Sequence, residues 1–170
     1  MGIKLKPTQA LYGHTIECHG NNLGNLMFFG KDPWQGQTGE TDKGYIIFDN
    51  LLNGARAAGI DVYGDFKRKG KRTLNRLISE FCPAGHGNNN PAAYTANVAV
   101  WLSDRPLDGS AALKVTPDSE LDLSTPESLA ALLLAIGRQE KGLRFDGDVI
   151  LIAAKMAISY VDRKVLRHAD

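Results

Sequence analysis

The segment from Ser124 to Gly142 constrains the fold more than any other part of this chain. Ser124-Thr125-Pro126-Glu127 combines a capping hydroxyl, an early proline and an acidic first turn, all marks of a helix start. Leu129, Leu132, Leu133 and Ile136 then recur at i, i+3, i+4 and i+7, and Gly142 closes the helix. Such a stripe has to be buried against other elements. The next position along it is occupied by Glu140. A carboxyl ending a buried stripe is partly desolvated, which disfavours its charged form and raises its pKa. A general acid that protonates a leaving oxygen near neutral pH needs that state. The same spacing is met by a solvated carboxylate where a helix frays, with Arg138 and Lys141 beside it; spacing alone leaves both readings open.

The rest of the chain supplies partners for that helix. The apolar pattern predicts helices over Leu51–Tyr63 and Thr73–Phe81, the second with Leu74, Leu77, Ile78 and Phe81 on one face and Pro83 beyond its end. Pro91 opens another, reaching about Ser103 with Tyr94, Val98 and Trp101 roughly aligned. A final helix is expected over Asp148–Leu166, and residues 104–124 read as loop. Leu26-Met27-Phe28-Phe29 and Tyr45-Ile46-Ile47-Phe48 are short β-type runs flanking the polar, aperiodic stretch Gln35–Asp42. They predict a β-hairpin with a long loop. With no repeat and no dividing linker, the expectation is one mainly helical α+β domain over residues 1–170, carrying one small hairpin.

Bulk properties narrow the function. Lys and Arg number 20 against 19 Asp and Glu, so the basic surplus expected of a phosphate-binding domain is missing. The run Lys67-Arg68-Lys69-Gly70-Lys71-Arg72 reads as a solvated loop, or as an attractor of an anionic polymer. Val149–Ala154 is the longest apolar stretch and is far short of the ~20 residues of a membrane span. Met1–Ala10 lacks the apolar core of a signal peptide. No nucleic-acid or membrane partner is therefore expected. Cys18 and Cys82 are too few for a disulfide framework; they read as two thiols or one pair. His14, Glu17, Cys18 and His19 lack metal-ligand spacing and any third orienting group for a Cys–His nucleophile. No Gly-rich phosphate loop follows either strand, so neither metal nor cofactor is expected.

The loop His19-Gly20-Asn21-Asn22-Leu23-Gly24-Asn25-Leu26, with Trp34-Gln35-Gly36 beyond it, is the second candidate feature. Asparagine and glycine suit tight turns, and amides beside an aromatic also suit hydroxyl-rich ligands.

Taken in order, Asn21-Asn22-Leu23-Gly24-Asn25-Leu26, Trp34-Gln35-Gly36, Phe48, Gly54-Ala55-Arg56-Ala57 and Tyr63 form the first half of a longer pattern. Thr73, Ile78, Cys82-Pro83, Asn88-Asn89-Asn90, Tyr94, Ala135-Ile136 and Glu140-Lys141-Gly142 form the second. This order resembles a family of phage and prophage virion-associated, peptidoglycan-degrading, lysozyme-like proteins, over residues 19–160. Two positions depart from the family pattern: His19 stands for its arginine and Leu23 for its proline. The resemblance implies a lysozyme-like fold. With the hairpin early and the glutamate-bearing helix late, it raises the hypothesis of a circular permutation that brings Glu140 over the 21–48 hairpin.

The function so implied is cleavage of the β-1,4 glycosidic bond of peptidoglycan, as a lytic transglycosylase with Glu140 as its single acid. A muramidase would add a second carboxylate, for which Glu40, Asp42 and Asp49 are the candidates, with Glu17 as reserve acid. Asn22, Asn25, Trp34, Gln35 and Tyr94 are the candidate glycan contacts. The expected partners are peptidoglycan glycan strands and other virion proteins. The expected place is a virion or the host cytoplasm, with action on the wall in the periplasm. A non-enzymatic virion protein that keeps the fold is the rival expectation.

Overall fold

Helix α4 (Pro126–Lys141) is the axis of the fold: every residue from Ser128 to Gly137 is buried. The stripe seen in the sequence is thus only part of its apolar surface. Ala130, Ala131, Leu134 and Ala135 fill the other faces, and a helix apolar all round belongs inside. Its ends form as expected, with Thr125 accepting from the Ser128 amide and Gly142 left-handed at φ 67°. This is the computed structural model of the chain, and it describes residues 2–85 and 88–169.

Among the described residues, helices α1 (Leu51–Arg68), α2 (Leu74–Phe81), α3 (Pro91–Leu102) and α5 (Gly147–Ala169) join α4, and β1 (Gln37–Glu40) pairs antiparallel with β2 (Ile46–Phe48). Helices α1, α3 and α5 pack on α4, and α1 lies along α5. Asn50, Thr73 and Asn90 cap α1, α2 and α3 through their side chains. The mainly helical α+β expectation therefore holds. Helix α1 runs five residues beyond the expected Tyr63, because Gly64, Asp65 and Phe66 are buried and carry it onward.

The hairpin differs from the sequence reading. The first strand is Gln37–Glu40, from the stretch read as loop, with side chains that alternate half-buried and exposed. Alternation without apolar residues leaves no hydrophobic signal to find. Leu26–Phe29 is not a regular strand. It runs beside β2 with a single bridge, Met27 to Tyr45, and the Leu26 carbonyl accepts from the Ile46 amide at 2.9 Å. Met27 and Phe29 are exposed, while Leu26 and Phe28 are half-buried against the Ile46–Phe48–Ala57 cluster, so the run packs at the edge of the core rather than inside it.

The segment before residue 19 straps the core. Leu5 and Leu11 are buried, each worth about 1.5–3 kcal/mol of transfer free energy. The Leu5 amide donates to Ser128 Oγ at 2.9 Å, and that hydroxyl donates to the Asp122 carbonyl at 2.5 Å. Gly13 and Thr15 bridge to Asp146 and Phe145 beyond α4.

The basic run is partly paired with acids from neighbouring elements. Lys69 contacts Asp65 at 2.8 Å and Glu80 at 2.6 Å, while Arg72 lies 4.0 Å over the Phe66 ring. Lys67 and Arg68 belong to α1 rather than to a loop. Cys18 and Cys82 are free thiols.

Candidate active site

A loop, a helix end and two flanking side chains build the site around Glu140. The loop owes its form to backbone that few residue types accept: Gly20, Asn21 and Asn25 have φ of 63°, 49° and 52°. Glycine takes the left-handed region without strain, and asparagine tolerates it better than most residues. Asn22 locks the loop from inside. Its Nδ2 donates to the Leu26 and Ile46 carbonyls at 2.8 and 2.9 Å, and its Oδ1 accepts from the Leu26 amide at 2.8 Å. Gly54 lets α1 lie against this loop, since a Cβ there would sit 1.7 Å from the Asn21 carbonyl oxygen. Leu23 is fully buried against Gly137 of α4, and Gly24 lies under Phe81. The loop is clamped by hairpin, α1, α2 and α4 together.

This clamped loop delivers Asn25 to the last turn of α4. Asn25 Nδ2 donates to Glu140 Oε2 at 2.7 Å, and Lys141 Nζ donates to Asn25 Oδ1. The turn itself is tethered rather than frayed. Arg138 Nη1 donates to the Ala10 carbonyl and its guanidinium lies 4.5 Å over the Trp101 ring, while Gln139 accepts from Asn97 at 3.2 Å. Glu140 is therefore half-buried on ordered helix, and the solvated, fraying alternative does not describe it.

Burial pushes the Glu140 carboxyl above its ordinary range; the Asn25 bond, the Tyr94 hydroxyl and the Lys141 charge oppose that in turn. Burial, then the charge of Glu140, push the Tyr94 phenol up. The Tyr94 hydroxyl faces this carboxyl without reaching hydrogen-bond geometry. It is the one fully buried side-chain polar atom among the described residues left without a partner. Cys82 also feels Glu140, and burial with that charge raises its thiol.

A cleft of about 460 Å³ adjoins Glu140 through Asn25 and Lys141, which both line it. Its other walls are His19, Gly20, Asn22, Thr41, Asp42, Lys43, Tyr45 and Ile46. The hairpin is thus the wall opposite the end of α4.

The sequence candidates divide accordingly. Asn25 and Asp42 line the cleft, and Tyr94 stands behind Glu140. Asn22 reaches the cleft wall, but its amide is spent on backbone, so its part is to hold the loop rather than to grip a ligand. Trp34 packs on the Ile46–Phe48–Ala57 cluster and Gln35 donates to Asn53 at 3.3 Å; neither lines the cleft. Asp49 accepts from Asn53 Nδ2 at 2.8 Å, and Glu40 and Glu17 are exposed, all away from the cleft lining. Sequence reasoning missed Lys43, Tyr45 and the part of Lys141. The Lys141 signal was its adjacency to Glu140; Lys43 and Tyr45 carry no signal apart from the hairpin.

Among the described residues, no three His, Cys, Asp or Glu side chains gather as a metal site, and no helix is long and apolar enough to cross a membrane. No protein-family profile matches this chain, and no curated protein matches its sequence.

Proposed function

We propose that the chain cleaves the β-1,4 glycosidic bond of bacterial peptidoglycan, as a lytic transglycosylase whose acid is Glu140. One observation carries the reading: a half-buried carboxyl with a raised pKa, hydrogen-bonded to Asn25, which with Lys141 lines an open cleft that Glu140 itself stands behind. In this reading Glu140 protonates the glycosidic oxygen and the C1–O bond breaks. The resulting carboxylate takes the proton of the muramyl 6-hydroxyl, whose oxygen closes on C1 to form the 1,6-anhydro ring. One carboxyl serves both steps, first as acid and then as base. The order of motifs along residues 19–160 supports membership of the virion-associated, lysozyme-like family, and with it a permuted lysozyme-like fold. The meeting of Glu140 with the loop before the hairpin is what that permutation requires. Glycan strands are then the partner, reached by the protein from a virion or from the host cytoplasm.

Asp42 favours a second reading, hydrolysis by a muramidase, because it is the one carboxylate candidate of the hairpin that lines the cleft. The two separate by product and by variant. Mass spectrometry of muropeptides released by wild type and Asp42→Asn is expected to find anhydro-muramyl ends from both. Reducing ends that disappear with Asp42→Asn would establish the hydrolase instead.

A further inference from the structure

The orientation of a carboxamide beside a carboxyl decides whether it offers a donor or an acceptor. At Asn25 that orientation is set from the far side. An ammonium can only donate, so Lys141 Nζ claims Oδ1 and leaves Nδ2 to face Glu140 Oε2 at 2.7 Å. The amide stands on the left-handed residue of a loop clamped on all sides, and Lys141 and Glu140 share one tethered turn.

We propose that Lys141 and Asn25 are a positioning pair that sets which oxygen of Glu140 carries the acid proton: Oε2 is held as acceptor, and Oε1 takes and releases the proton. The catalytic meaning of the pair rests on the transglycosylase reading; the coupling among the three side chains does not. In a protonated carboxyl the carbonyl oxygen is the better acceptor, so an N–H held on Oε2 makes that oxygen the carbonyl. Without the ammonium, the Asn25 amide is free to turn and present Oδ1. That end accepts from a protonated carboxyl and repels a carboxylate, so it favours the protonated form. The other ionisable groups facing Glu140 are Tyr94 on α3 and Cys82 after α2, both pushed up by burial and so held neutral. Lys141 is the cation that acts on Glu140. It also lies beside Cys18, whose thiol burial raises and Lys141 lowers.

The test is the titration of Glu140, followed by carbon NMR on glutamate-labelled protein and assigned by the signal lost in Glu140→Gln. Lys141→Met is expected to move the midpoint to higher pH, and Lys141→Arg to restore it. Asn25→Gly keeps the left-handed backbone and removes the amide; in that background Lys141→Met should move the midpoint by much less. A wild-type midpoint in folded Lys141→Met would overturn the proposal. So would the same Lys141→Met displacement with and without the Asn25 amide, since that is what simple charge proximity gives. If Lys141→Met does not fold, the Asn25 side-chain amide signal of wild type decides: it should shift with the Glu140 titration, and a signal indifferent to pH would refute the contact. Wild type that releases no muropeptides but shows this coupling would end the enzyme reading and leave the pair standing. Digestion without coupling would do the reverse.

Discussion

Replacing Glu140 by Gln should stabilise the protein by an amount that grows with pH. The Glu140 carboxyl is raised above its ordinary 4.5 chiefly by burial, and the unfolded chain lacks that burial. Below pH 4.5 both folded and unfolded states hold the proton, and the group costs the fold nothing through ionisation. As pH climbs from there through the raised folded value, the unfolded state releases its proton first, and stability falls until both states are charged. Each unit of displacement is worth about 1.4 kcal/mol. In a chain of 170 residues, 1 kcal/mol moves the melting temperature by about 2–4 °C. The glutamine side chain of Glu140→Gln keeps an oxygen for the Asn25 donor, so the hydrogen bond survives and only ionisation is removed. Urea denaturation of both proteins at intervals from pH 4 to 8 measures the difference, and the other carboxyls cancel in it. A difference that stays flat with pH would refute the reasoning, because it would mean that the carboxyl is solvated like an exposed one.

Three further substitutions probe how the loop is held. Gly54→Ala would drive a methyl into the Asn21 carbonyl oxygen, and should cost on the order of 1–3 kcal/mol by denaturant titration while displacing Asn25 from Glu140. Asn22→Ala strands the Leu26 amide and takes one donor each from the Leu26 and Ile46 carbonyls, an expected loss of about 1–3 kcal/mol; unchanged stability with weaker glycan binding would instead make Asn22 a ligand contact. Tyr94→Phe removes a buried hydroxyl that has no hydrogen-bond partner, so below pH 4.5 stability should hold or gain about 1 kcal/mol, an advantage that shrinks as pH rises and Glu140 ionises. Its Glu140 signal should titrate at higher pH, because that hydroxyl favours the charged carboxylate.

The parts of this fold that were legible in the sequence are those written in local signals. The Ser124-Thr125 cap, the prolines at 91 and 126, the apolar spacing of Leu74, Leu77, Ile78 and Phe81 and the closing Gly142 placed three helices to within a residue or so. What escaped was held by backbone pairing or by distant contacts. β1 has no apolar alternation and is defined by its partner β2. The strap before residue 19 has no periodicity, and its buried Leu5 and Leu11 gain meaning only against α4 and its neighbours. At the site, periodicity singled out Glu140, but its partner Asn25 lies 115 residues away and no spacing rule connects them. Trp34 and Gln35 looked like ligand groups because aromatics beside amides suit sugars; the fold uses them at the turn into β1 and the start of α1.

The most direct test of the central claim is release of soluble muropeptides from purified peptidoglycan by wild type and Glu140→Gln across pH 5–8, a span chosen for a raised glutamate. The account predicts anhydro-muramyl products from wild type, declining as pH rises through the Glu140 titration, and none from a folded Glu140→Gln. Equal release by both proteins would remove Glu140 as the acid, and no release by wild type at any pH would contradict the enzyme itself.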